Sequence, residues 1–248
     1  MKAALLALLL LQMTGAQPSV ITTNESAFLK RTYTAGKLVM PYRLMLPRGY
    51  DAKKKYPLIV YLHGGAGVGT DNEKQIRAGN GMGIDLFVRN QQTNPAFILA
   101  PQSSGNGWMM APAVGSLQLL AVPELIAAIA KQYSIDPRRI YIGGQSLGGY
   151  GTYALVAARP EVFAAAFVLC GGGDPGRAPR LARVPFWIFH GSADRIVNVS
   201  EAYAMRDAIR RAGGIARYTE YRGEGHQIWP HVTKEKELPA WLFAQMRR

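Results

Sequence analysis

The feature that most constrains this chain is the alternation of short, wholly apolar runs with longer stretches of helical character. Leu58–Leu62, Phe97–Ala100, Ile140–Ile142, Ala164–Leu169 and Phe186–Phe189 each hold three to six apolar residues in succession. A strand that is apolar on both sides must be covered on both sides, the condition met inside a parallel sheet. Between these runs Gly115–Tyr133, Leu147–Ala158, Ser200–Ala212 and Lys234–Met246 read as helices, the crossovers that parallel strands require. Phe28–Ala35 and Leu38–Leu46, separated by Gly36-Lys37, predict an opening antiparallel hairpin, and Tyr218–Tyr221 a weaker last strand. In the third helix Ser200 is the expected N-cap and Gly213-Gly214 the stop. Its expected apolar stripe is Tyr203, Ile209 and Ala212, with Arg206, Arg210 and Arg211 off it. The fold class that follows is α/β, with a mostly parallel sheet of eight strands and helices on both faces.

No repeat and no long linker divides the chain, so residues 28–248 are expected to form one domain behind a polar, flexible segment at 17–27. Ahead of it, Met1-Lys2, the run AALLALLLLQM and the small residues Thr14-Gly15-Ala16 have the order of a secretory signal peptide, with cleavage near Ala16. The apolar run is too short to span a bilayer comfortably. A secreted or periplasmic protein is expected.

Of 248 residues, 48% are apolar and 18% charged, which excludes a disordered chain. Lys and Arg number 29 against 16 Asp and Glu, a formal charge of +13. The basic residues are dispersed, the densest run being Lys53-Lys54-Lys55, and no nucleic-acid-binding pattern accompanies them. A solvated basic surface, with no nucleic-acid partner, is the expectation. Attraction to a polyanion such as an acidic polysaccharide is the alternative. Cys170 stands alone, so neither an intrachain disulfide nor a zinc cluster can form, and a buried apolar role is expected for it.

The chemistry gathers at strand ends. Gly144-Gln145-Ser146-Leu147-Gly148 fits G-x-S-x-G between an apolar strand and a helix, a setting in which the serine stands on a tight turn with its hydroxyl pushed outward. Side chains at the two glycine positions would collide with neighbouring backbone, and the helix N-terminus adds partial positive charge beside a developing oxyanion. A serine hydroxyl needs a base to act as a nucleophile. Of four histidines, His63 and His190 each end an apolar strand and are expected to brace loops. His231 opens the terminal helical region. His226, in the glycine loop Gly223-Glu224-Gly225 after the last strand, is the expected base. A carboxylate must fix its tautomer. Asp194 follows the strand that precedes the His226 strand and is favoured over Asp174. The backbone N–H of Leu147, next after the nucleophile, is one expected oxyanion donor. Gly65, with Ala66 as fallback, is expected to supply a second from His63-Gly64-Gly65-Ala66-Gly67. Trp108, Trp229 and Tyr150 are candidates for an aromatic, substrate-binding rim. No metal and no cofactor is needed.

These residues resemble the α/β-hydrolase superfamily, and within it the carboxylesterase and predicted-peptidase group close to polyhydroxybutyrate-depolymerase-like and feruloyl esterases. The stretches that carry the resemblance are YLHGGAGVGTDNEKQ, IYIGGQSLGGYGTYAL, CGGGD, FHGSADRIVNVS and YTEYRGEGHQIW, spread over residues 28–248. The resemblance implies an α/β-hydrolase fold with Ser146, Asp194 and His226 in the order Ser…Asp…His, agreeing with the residue-level reading. Only Cys170–Val184 separates the strands where a lid is often inserted, so no lid domain and an open site are expected. A secreted esterase acting on acetyl, short-acyl or feruloyl-type esters is the reading that results. A prolyl-oligopeptidase-like peptidase and a silent polysaccharide- or envelope-binding domain are the rivals.

Overall fold

The computed structural model describes residues 25–77, 82–108 and 117–247. The expected signal peptide lies outside them, as does the start of the helix expected from Gly115. The strands are β1 (Phe28–Ala35), β2 (Leu38–Met45), β3 (Tyr56–Leu62), β4 (Phe97–Pro101), β5 (Ile135–Gln145), β6 (Ala165–Leu169), β7 (Phe186–Gly191) and β8 (Ala216–Tyr221). The helices are α1 (Met82–Arg89), α2 (Leu117–Leu120), α3 (Val122–Ala130), α4 (Leu147–Ala158), α5 (Ala178–Leu181), α6 (Val199–Arg211), α7 (Trp229–Val232) and α8 (Glu237–Phe243).

The eight strands form one sheet in the order β1-β2-β4-β3-β5-β6-β7-β8. β1 pairs antiparallel with β2 in the expected hairpin, and β2 pairs antiparallel with β4. Every pairing from β4 through β8 is parallel. Side chains alternate between the two faces of a strand, and the two layers of core show this directly. Leu58, Val60 and Leu62 of β3 pack with Ile142, Val168 and Ile188 on one face, under α3, α4 and α6. Ile59 and Tyr61 pack with Tyr141, Phe167 and Trp187 on the other, with Ile84 and Phe87 of α1 and Leu238 and Leu242 of α8. Unbroken apolar runs are therefore what these strands require.

Three local expectations change. The helix expected over Gly115–Tyr133 is, within the described residues, two helices that meet at Ala121, with Pro123 in the first turn of the second, where its missing N–H costs nothing. The helix expected over Lys234–Met246 is present but shorter, as α8, and the unexpected α7 precedes it, each with a proline in its first turn. At α6 the cap is Asn198, whose side chain accepts from the Ser200 N–H at 2.9 Å, in place of Ser200. The buried stripe of α6 is Ala202, Met205, Ala208 and Ile209. Ala212 is exposed, and Tyr203 lies toward β8, its ring 5.6 Å from that of Tyr218 and its hydroxyl donating to Glu220. Among the described residues no helix is long and apolar enough to cross a membrane.

Candidate active site

Ser146 joins β5 to α4 with φ 52° and ψ −117°, a region that residues with a side chain rarely occupy. The turn is held from both sides. The Ser146 N–H donates to Leu169 O on β6 at 2.8 Å, and the N–H groups of Gly149 and Tyr150 donate to Ser146 O at 2.8 and 3.2 Å. A Cβ at Gly148 would lie 2.0 Å from Leu62 O, and one at Gly144 would lie 2.5 Å from the Gly148 backbone. Both glycines of the motif are thus needed for α4 to start hard against β3. The Ser146 hydroxyl makes no hydrogen bond among the described residues, and the residue is half-buried.

The carboxylate and imidazole meet two strands away. β6 lies between β5 and β7, so the Ser146 and Asp194 loops leave the same sheet edge about 10 Å apart, two spacings of about 4.8 Å each. Asp194 Oδ1 accepts from the N–H groups of Ile196 and Val197 at 2.8 and 3.0 Å, and Oδ2 accepts from His226 Nδ1 at 2.7 Å. Burial works against the Asp194 charge, but the bonds from His226, Val197 and Ile196 outweigh it and hold the carboxyl below its usual range. The base loop is zipped to the acid loop. Ala193 N–H donates to Glu224 O at 2.9 Å, and Gly223 N–H donates to Ser192 Oγ at 2.9 Å. Gly191 must be glycine for this, since a Cβ there would lie 2.3 Å from Gly225 O. With Nδ1 engaged by Asp194, His226 Nε2 has no hydrogen-bond partner among the described residues.

Asp174, the rival acid, is placed elsewhere. Its side chain is 64% exposed, caps the Gly176 N–H and pairs with Arg177 at 3.4 Å. The N–H groups of Leu147 and Gly65 donate to no partner among the described residues, and the 3-10 turn Gly65–Gly67 presents Gly65 and Ala66 to solvent. The expected aromatic rim is corrected for two residues. Trp108 is wholly buried, its Nε1 donating to His63 O at 3.1 Å and its ring 4.9 Å from the imidazole of His63. Trp229 is also buried, edge-on to the His226 ring at 5.9 Å. Both indoles pack beneath the surface, Trp108 against His63 and Trp229 against His226. Tyr150 alone of the three is half-buried.

The other histidines brace. His190 Nε2–H donates to Val197 O at 2.9 Å and stands 3.3 Å from Asp194 Oδ2, leaving Nδ1 buried and without a partner among the described residues. His231 pairs with Glu224 at 3.1 Å and stacks on Tyr221. Cys170 is fully buried, and burial pushes its thiol up to about 12. Cys170, His190 and Asp194 bring polar atoms within 4.8 Å of one another, the spacing of a metal seat. Here the thiol is held protonated and Asp194 is committed to His226, so the group reads as support for the carboxylate.

His63 carries a stability signature. Its Nδ1–H donates to Gly64 O at 2.7 Å and its Nε2 accepts from the Ser103 N–H at 3.1 Å. Burial pushes its pKa from 6.5 down to about 4, against a weaker opposing effect of the Gly64 carbonyl. The unfolded chain therefore binds a proton between pH 6.5 and 4 that the folded one refuses, and stability falls as pH falls through that window. The expected loss approaches about 3 kcal/mol. Denaturant titrations of the wild type and His63→Gln at pH 7 and pH 4.5 check this, the variant being expected to lose much of the acid-dependent difference.

Comparison with known proteins places this geometry. A solved structure described as "Crystal Structure of a Thermostable Esterase" superposes with a TM-score of 0.84 and 36% identity, over 90% of this chain and 64% of that one. The chain belongs to the α/β-hydrolase superfamily. Within the superfamily its likeness is to the esterase group. The "Probable feruloyl esterase C" of Aspergillus terreus is 27% identical over 173 residues, 70% of this chain and 62% of the relative. The "Poly(3-hydroxyalkanoate) depolymerase C" of Paucimonas lemoignei is 26% identical over 170 residues, 63% of this chain and 38% of the relative. The matches thus span less than two-thirds of these relatives' lengths. A model described as "Prolyl oligopeptidase family" matches residues 122–175, from α3 through the Ser146 turn to the loop after β6.

Proposed function

We propose that the protein is a secreted serine carboxylic-ester hydrolase that works through an acyl-enzyme and needs no cofactor. The observation that carries the reading is the Asp194–His226 pair at 2.7 Å on the sheet edge that also presents the strained Ser146 turn. Ser146 Oγ attacks the ester carbonyl as His226 Nε2 takes its proton. Asp194 stabilises the imidazolium, and the N–H groups of Leu147 and Gly65 receive the oxyanion. His226 then protonates the departing alcohol, and a water activated by the same nitrogen releases the acid. The signal-like start of the chain supports export. Relatives named as feruloyl esterases and as a poly(3-hydroxyalkanoate) depolymerase support acetyl, short-acyl or feruloyl-type esters with bulky alcohols. The short connection from β6 to β7, which holds only a 3-10 turn and α5, suits such substrates because it leaves little to cover the site.

The match to the prolyl oligopeptidase family favours a second reading, a peptidase. A panel of p-nitrophenyl acetate, butyrate and ferulate beside alanyl and prolyl p-nitroanilides separates the two. Ester turnover with negligible anilide turnover is expected. Anilides cleaved at comparable kcat/KM would overturn the esterase reading in favour of the peptidase.

A further inference from the structure

Tyr150 lies one turn along α4 from Ser146, its N–H donating to Ser146 O at 3.2 Å, and residues four apart share a helix face. Its hydroxyl lies beside the Glu201 carboxylate, which comes from the first turn of α6. A Cβ at Gly172, on the loop after β6, would lie 1.8 Å from Glu201 Oε2 and 2.8 Å from the Tyr150 hydroxyl, so both oxygens crowd one point beside the nucleophile turn. Burial first, then the neighbouring Glu201 charge, push the Tyr150 phenol up to about 12, with Asp194 adding in the same direction. Tyr150 therefore stays protonated, turns a donor toward Glu201, and lies within electrostatic reach of the proposed acid.

The ordinary role of a glutamate at this position is to complement the helix dipole or to close a capping box on the N-cap N–H. The structure uses Asn198 for capping, and no bond runs from the Glu201 carboxylate to the Asn198 N–H among the described residues. Nor does a cation pair with it there, in a chain carrying 29 Lys and Arg. Other carboxylates of the chain are paired: Asp174 with Arg177 at 3.4 Å and Asp207 with Arg206 at 2.7 Å. A carboxylate has about four acceptor sites, and among the described residues the donor facing Glu201 is the neutral Tyr150 hydroxyl. What is left is a half-buried negative charge beside the site with acceptor capacity to spare.

We propose that Glu201, positioned by Tyr150, is a specificity subsite that takes a cationic group of the substrate, an ammonium above all, and disfavours esters bearing a carboxylate. The inference rests on the esterase reading and names what the same site selects. Two matched pairs of esters test it, glycine against hemisuccinate p-nitrophenyl esters for the acyl side and acetylcholine against O-acetylglycolate for the alcohol side. The quantity read is the cation-to-anion ratio of kcat/KM, in which the intrinsic reactivities cancel between variants. Glu201→Gln is expected to lower that ratio in at least one pair by roughly ten-fold or more, the worth of one hydrogen bond to a charged group, with the change carried in KM. Glu201→Lys is expected to lower it further and to raise turnover of the anionic ester. Tyr150→Phe is expected to lower it by less than Glu201→Gln. General damage to the fold would depress both members of a pair and leave the ratio where it was. Ratios unmoved by Glu201→Gln and Glu201→Lys in both pairs would overturn the subsite while leaving the esterase reading intact. Wild-type protein that turns over p-nitrophenyl acetate no faster than Ser146→Ala would instead remove the esterase reading, and the subsite with it.

Discussion

Replacing Ser146 by alanine is expected to lower kcat/KM for p-nitrophenyl butyrate by roughly four orders of magnitude or more, the scale set by deleting a nucleophile. The change removes one oxygen atom from a residue whose hydroxyl makes no hydrogen bond among the described residues, so no such bond is lost there. The backbone bonds that hold the turn, Ser146 N–H to Leu169 O and the Gly149 and Tyr150 N–H groups to Ser146 O, survive the substitution. The unfolding midpoint should therefore stay close to that of the wild type. Activity that remains would come from water attacking the bound ester, with the proposed oxyanion donors, the Leu147 and Gly65 N–H groups, still in place. An unchanged rate would exclude Ser146 from the chemistry.

The second large effect concerns Asp194→Asn, for which a loss on the order of 10⁴-fold in kcat is expected, as when a triad acid is replaced by its amide. The geometry shows why an isostere should do so much harm. Asp194 Oδ1 accepts two backbone N–H groups, from Ile196 and Val197, while Oδ2 accepts from His226. An asparagine has one oxygen and one NH2. Turning the NH2 toward Ile196 and Val197 would set donors against two donors, at a cost of about 1–3 kcal/mol for each buried group left unpaired. The oxygen therefore stays on that side and the NH2 faces His226 Nδ1. Nδ1 must then accept, the proton moves to Nε2, and the imidazole can no longer take a proton from Ser146. Steady-state kinetics beside the unfolding midpoint check this, since the variant should fold while losing turnover. Activity within ten-fold of the wild type would mean that Asp194 does not set the tautomer of the base.

Much of the fold was legible because burial on two faces leaves a plain trace. The apolar cores of β3 to β7 stand out in the sequence, and the bounds of α4, Leu147–Ala158, match the expectation. Several strand ends were read short, while β2 and β6 were each read one residue long. β5 begins at Ile135, five residues before its apolar run, since Asp136, Pro137 and the two arginines after it carry no apolar signal. Helix α1 was silent for a related reason: it follows a glycine-rich stretch, and Ile84, Leu86 and Phe87 acquire meaning only from the sheet face they cover. Around the site, the placement of Asp194 against His226 followed from strand order alone. The fate of the indoles did not. Trp108 and Trp229 stand near motifs in the sequence, yet whether an aromatic ring lines a rim or fills the space beneath it depends on the depth of the cavity, which no local pattern encodes. Glu201 was invisible as well. A glutamate in a first helical turn looks like a partner for the helix dipole, and its contact with Tyr150 arises from tertiary packing across the loop after β6.

The arrangement stands or falls on whether one serine becomes nucleophilic. A fluorophosphonate probe reports that directly, because it forms a covalent bond only with a serine activated by a neighbouring base. Intact-mass measurement of the wild type should show a single adduct, mapped by peptide analysis to Ser146, with labelling abolished in Ser146→Ala and strongly slowed in His226→Ala. Wild-type protein that takes up no label, or a Ser146→Ala variant labelled as fast as wild type, would contradict the account.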